Sequence, residues 1–131
     1  MPIDPQQTYV HLAGDGSARC LPGASFWQLP PAELDAFGKG WLISEYSFTQ
    51  DWPSWEMHPH GDEFVYLLSG AVELVLERGT EVKTIALEGS GAAVVPRGVW
   101  HTARVRLPSR MLHVTRGEAT ETRPVQDAAS K

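Results

Sequence analysis

Between Trp55 and Gly70 the chain reads WEMHPHGDEFVYLLSG. Two histidines stand two apart, and a carboxylate follows at the head of an apolar run. In an extended segment His58 and His60 share one face, because strand side chains alternate with period two. Neutral imidazole together with the carboxylate of Glu63 is a donor mixture that divalent first-row metals accept. A further imidazole stands at His101, in the stretch PRGVWH, where Pro96 and Gly98 punctuate the chain before a short strand. A lone strand histidine is far more often a surface or hydrogen-bonded residue than a ligand. Three of the five histidines grouped with a glutamate favour a metal site.

The neighbours of these residues have two readings each. Glu56 has the parity of His58 and His60, which would place it beside the metal as an acid or base; a strand-end glutamate in solvent is the other reading. Asp62 also keeps that parity and is an alternative ligand to Glu63, but Gly61 makes a turn or bulge easy there. Trp52, Trp55 and Trp100 surround the ligands in sequence and line either a pocket or the core. His113 is expected to play a structural or supporting role around the site, facing the cavity if Met111 and Thr115 turn inward. Tyr46 joins it as a pocket candidate. Arg97 either meets an anionic substrate or is a solvated turn residue. Cys20 is the only cysteine, so no internal disulfide forms.

This constellation resembles the cupins, small β-barrel proteins with two short motifs. The first runs Gly, five residues, His, any residue, His, three or four residues, Glu, six residues, Gly; His58, His60, Glu63 and Gly70 match it. The second runs Gly, five residues, Pro, any residue, Gly, two residues, His, three residues, Asn; Pro96, Gly98 and His101 fall on it. Trp52, Ser90 and Val105 depart from the pattern, and only Gly61 and Asp62 separate His60 from Glu63. The resemblance implies one divalent transition metal per chain on His58, His60, Glu63 and His101, with Fe, Mn, Ni and Zn not distinguished. It further implies a metal-dependent enzyme acting on a small organic molecule, dioxygenase chemistry ranking ahead of decarboxylase, isomerase or lyase chemistry. A non-catalytic cupin that binds or senses a small ligand is the alternative. A storage protein and a metal-free sugar epimerase fit the intact histidines less well.

Stepping along the chain gives the elements that must hold these residues. Strands are expected at residues 8–13, 26–29 and 41–49, with one helical turn in PPAELDAFG opened by Pro and closed by Gly38. Seven more follow at residues 56–60, 63–68, 71–78, 81–87, 92–95, 101–105 and 110–115, separated by Gly, Pro and Ser turn signals. Many short strands and almost no helix predict an all-β protein. The resemblance narrows this to a double-stranded β-helix, the jelly-roll barrel. Residues 1–40 should form an arm and strands packing on a barrel of residues 41–116, and the polar residues 117–131 a disordered tail.

With 131 residues, an apolar share of 42% and a net charge of -5, the chain suits one globular domain and carries no footprint for nucleic acid. No apolar run approaches the ~20 residues of a membrane span, and no leader pattern opens the chain, so a cytoplasmic protein is expected. In residues 63–68, Val65 and Leu67 share the parity of Glu63 while Phe64, Tyr66 and Leu68 point outward. Such a patch is seldom left bare on a monomer, which predicts a homodimer unless the first forty residues cover it.

Overall fold

The computed structural model describes residues 2 to 126. Its two longest strands organise the rest: β5 (Glu63–Arg78) and β8 (Trp100–Thr115) pair antiparallel over most of their length, from Phe64 with Val114 to Glu77 with Trp100. Around them stand β1 (Thr8–Leu12), β2 (Ala18–Pro22), β3 (Trp41–Phe48), β4 (Ser54–Met57), β6 (Glu81–Glu88), β7 (Ala92–Val95) and β9 (Glu121–Pro124). One edge runs β2-β1-β3-β8-β4-β9, and β5 also pairs with β6 and β7. The fold is thus an all-β, antiparallel jelly roll, as expected. Two short helices interrupt it, α1 (Gly23–Phe26) and α2 (Pro31–Gly38).

Alternation along β5 produces the core. Val65, Leu67, Val72, Leu74 and Leu76 turn inward to meet Trp52, Leu87, Val95, Ala103 and Met111. The register of β5 on β8 shifts between Leu67 and Val72. Gly70 sits in this irregular stretch at φ 98°, a conformation that glycine takes without strain. The bend lets one long strand serve both halves of the barrel, where the sequence pattern suggested two strands broken at Ser69-Gly70.

The N-terminal residues differ from expectation in two places. Residues 26–29 do not form a strand: Phe26 and Leu29, three apart, both pack on a second apolar cluster with Tyr9, Leu21 and Leu42, which is helical spacing. Conversely Ala18–Pro22 is a strand, paired residue by residue with β1. It is an edge strand exposed at all but Leu21, so no alternation marks it. These elements extend the sheet beside β3 and place α1 and α2 near Tyr46; on the outer face of β5, Tyr66 and Leu68 are half-buried and Phe64 is exposed. Phe64 is 39% exposed and stacks against Tyr66.

The C-terminal residues are also more ordered than their composition suggests. Residues 121–124 form β9 and pair with β4, Ser54 opposite Pro124 through Met57 opposite Glu121. Arg123 fixes this strap: its guanidinium lies 4.6 Å from the Trp100 ring and 5.1 Å from the Trp55 ring, and it meets the Glu77 carboxylate at 2.7 Å. Cation–π contact and a charged partner supply what an apolar face would otherwise supply. The last five residues of the expected tail, 127–131, lie outside the described residues. No helix among the described residues is long and apolar enough to cross a membrane.

Candidate metal centre

Each side chain of the site is placed by one of these strands. Glu63 is the first residue of β5 and has the inward parity of Val65. His101 is the second residue of β8 and stands directly opposite Glu56 of β4, so the two share a face as cross-strand neighbours. His58 follows the end of β4, and its carbonyl accepts the Gly98 N–H at 2.9 Å, tying it to the turn before β8. Donor atoms of Glu56, His58 and His101 all lie within 4.8 Å of one another. His101 Nε2 lies 3.1 Å and His58 Nε2 3.6 Å from Glu63 Oε1.

The protonation pattern of these rings decides what the cluster can hold. His101 Nδ1 lies 3.1 Å from the Val99 carbonyl, which only accepts, so Nδ1 carries the proton and Nε2 of the neutral ring a lone pair. His58 Nδ1 is 2.8 Å from Thr120 Oγ1, and that hydroxyl donates its own proton to the Gly117 carbonyl. The threonine must therefore accept from Nδ1, leaving a lone pair on His58 Nε2 as well. His58 Nε2, His101 Nε2 and Glu63 Oε1 are all buried without a hydrogen-bond partner. Two lone pairs and a carboxylate oxygen that face each other in a dry place repel unless a cation lies between them. The donor set thus fits a divalent ion.

Titration behaviour agrees. Burial works to raise the Glu63 pKa, but the imidazoles of His101, His113 and His58 outweigh it and hold the carboxyl well below its usual range. Burial works to lower the His101 pKa, and the Glu63 carboxylate reverses that into a rise. Both shifts show that the pocket favours positive charge beside Glu63, which a divalent ion would supply while leaving the imidazoles neutral. The second oxygen of Glu63 is engaged elsewhere: Oε2 accepts from the Thr115 hydroxyl and lies 3.5 Å from His113 Nδ1. With Met111 and Thr115 turned inward, His113 does face the cavity, its ring 5.5 Å from that of Tyr46.

His60 is not in this cluster. His58 and His60 would share a face only on an extended chain, but β4 stops at Met57 and residues 59–61 bend. His60 is exposed and lines a separate small depression with Trp41, Gly61, Asp62, Pro96 and Arg97. Asp62 is exposed too and accepts the Arg97 backbone N–H at 2.8 Å, so it braces the turn before β8. Trp55 and Trp100 hold Arg123 and do not line the cavity, a duty that falls to Trp52 and Tyr46.

A signal for the observed set was present in the spacing. Counted back from Glu63 with four intervening residues, the two histidine positions of the first motif fall on Glu56 and His58. The chain therefore presents a glutamate where the pattern has its first histidine, and the six-residue interval to Gly70 is kept. Thr120 carried no comparable signal, because its role comes from β9 folding back on β4. A Thr120→Val substitution should weaken metal binding about ten-fold in a competition titration with a chelator, since the ring orientation of His58 is lost but no ligand is. Unchanged affinity would mean that Thr120 does not orient His58.

No family model matches the chain, and no curated protein matches it. Solved structures do. One is a cupin-2 domain-containing protein from Shewanella frigidimarina NCIMB 400 (16% identity, TM-score 0.49, 56% of this chain and 68% of that one). Another is the hydroquinone 1,2-dioxygenase of Sphingomonas sp. TTNP3 with 4-hydroxybenzoate bound (20% identity, TM-score 0.50, 56% and 57%). A third is an oxalate oxidase in complex with the substrate analogue glycolate (15% identity, TM-score 0.54, 65% and 46%). The matched part spans about half the length of the two enzymes. At identities this low the dioxygenase and the oxalate oxidase, with TM-scores of 0.50 and 0.54, speak to the fold alone.

Proposed function

We propose, for a chain that has the cupin fold and a cluster of imidazoles and carboxylates inside it, that it is a metal-dependent enzyme acting on a small organic molecule with dioxygen as the leading co-substrate. One observation carries the reading: three unpartnered donor atoms, from His58, His101 and Glu63, converge beside a cavity of about 1010 Å³. Glu56 completes the set. Glu56, His58 and Glu63 line the cavity, while His101 is fully buried behind them. Four protein donors leave open positions on an octahedral ion, where such a metal offers Lewis-acid and redox chemistry to an oxygen or substrate atom.

The chain's own residues supply the rest. Thr120 and the Val99 carbonyl fix the two rings, Thr115 holds the second oxygen of Glu63, and Trp52, Phe48 and Tyr46 wall the cavity near His113. Exclusion of water by that wall strengthens every charge interaction inside it. Elemental analysis after loading should find about one iron, manganese, nickel or zinc per chain, and oxygen uptake should appear with small diketones, phenols or thiols and vanish on chelation. Failure to retain any of these ions refutes the reading. One ion retained without turnover of any of these compounds supports the binding or sensing cupin instead.

A further inference from the structure

The cavity that opens on the metal cluster has a charge and a shape of its own. One wall is aromatic, built by Phe26, Phe37, Tyr46, Phe48 and Trp52, and α2 closes the far side with Leu34. Among the described residues neither lysine nor arginine lines it, whereas four carboxylates do, those of Asp35, Asp51, Glu56 and Glu63. Enzymes that take carboxylates or phosphates commonly meet them with guanidinium or ammonium groups. Here such a substrate would find no cation but the ion itself. That ion is already neutralised, because two carboxylates, Glu56 and Glu63, balance the two charges of a divalent metal. A third anion entering this apolar space would be desolvated without compensation.

Two polar groups on the wall remain free. His113 is 5% exposed and Trp52 9%, both line the cavity, and His113 Nε2 and Trp52 Nε1 are buried without a hydrogen-bond partner. Buried donors and acceptors of this kind are normally satisfied, so each is a group that a ligand hydroxyl would satisfy once the His113 or Trp52 ring turns slightly toward the cavity. Burial also raises the Tyr46 pKa above its ordinary range, which keeps its hydroxyl protonated within the same wall.

From the aromatic wall, the missing cations and the two open nitrogens, we infer that the cavity takes an uncharged aromatic alcohol or phenol, its ring against Phe48 and Trp52 and its hydroxyl at His113 Nε2 and Trp52 Nε1. This deepens the functional reading above and relies on it only for the neutralised ion. Calorimetric titration of the metal-loaded protein with three probes of similar size, 4-ethylphenol, benzoate and ethylbenzene, tests it. 4-Ethylphenol should bind about ten-fold tighter than benzoate, which lacks a countercharge, and than ethylbenzene, which lacks the hydroxyl. Trp52→Phe and His113→Phe should each bring 4-ethylphenol toward the affinity of ethylbenzene and leave ethylbenzene itself nearly unchanged. Either variant suffices should the other not fold. Benzoate binding as tightly as the phenol overturns the inference, as does ethylbenzene equalling the phenol in the parent protein. The same titration on chelated protein separates the two readings. A chain that holds no metal but still selects the phenol defeats the metal enzyme alone; a loaded chain that prefers benzoate defeats this inference alone.

Discussion

Glu56→Ala, His58→Ala and His101→Ala should each lose nearly all bound metal, whereas His60→Ala should keep it within about two-fold, the range expected of a surface substitution. Loss of a residue that merely orients a ligand costs roughly 10- to 100-fold in affinity, so loss of a ligand itself should exceed about 100-fold. Glu56 and His101 are cross-strand partners whose donors lie within 4.8 Å of each other and of His58, while His60 is exposed on the bend after β4. Glu56→His is the informative companion. It restores the imidazole that the motif places there and should retain about one ion per chain, with one more positive charge at the site. Glu63→Gln should also strip the metal, since an amide is a poorer, neutral donor, and Asp62→Asn should not, because that side chain serves the Arg97 turn. Elemental analysis after dialysis reads all of these. Full retention in Glu56→Ala with loss in His60→Ala would place the ion at the small depression by Trp41.

Gly70→Ala should destabilise the fold by about 3 kcal/mol, the sum of a strained backbone and a steric conflict in a packed place. Gly70 has φ 98°, and a Cβ there would fall inside contact distance of Ser109 Oγ and the Pro108 carbonyl on β8. Both neighbours are pinned: the Ser109 hydroxyl donates to the Leu107 carbonyl at 2.6 Å and accepts the Ala71 N–H at 3.1 Å. The change therefore strikes where β5 bends to serve both halves of the barrel. Thermal unfolding should show a fall in Tm of roughly 10 °C. A shift of only a degree or two would mean that the bend does not depend on this glycine.

How well the sequence anticipated these features depended on whether their cause was local. Alternation in residues 63–68 reports a buried face directly, so the inward set Glu63, Val65 and Leu67 and the jelly roll could be read from the pattern and the resemblance; beyond Gly70 the register shift moves the inward parity to Val72, Leu74 and Leu76. The outward set could be read as well, and Phe64 remains exposed within the single chain. β2 and β9 could not be read, because both are polar, exposed strands whose pairing is decided by partners distant in sequence, β1 and β4. At the site, Glu63, His58 and His101 were within reach of motif spacing. Strand parity and the histidine, any residue, histidine spacing both point to His60, but the chain bends at residues 59–61, where parity no longer holds. The four-residue count, which selects Glu56 instead, needed a glutamate to be accepted in a histidine's place.

One divalent ion should sit among Glu56, His58, Glu63 and His101. A crystal structure of the protein grown with manganese or cobalt, with anomalous scattering recorded at the metal edge, tests it most directly. A single anomalous peak per chain is expected, about 2.0 to 2.3 Å from His58 Nε2, His101 Nε2, Glu63 Oε1 and an oxygen of Glu56. A peak beside His60 and Asp62, or loaded crystals with no peak among the four named residues, would contradict it.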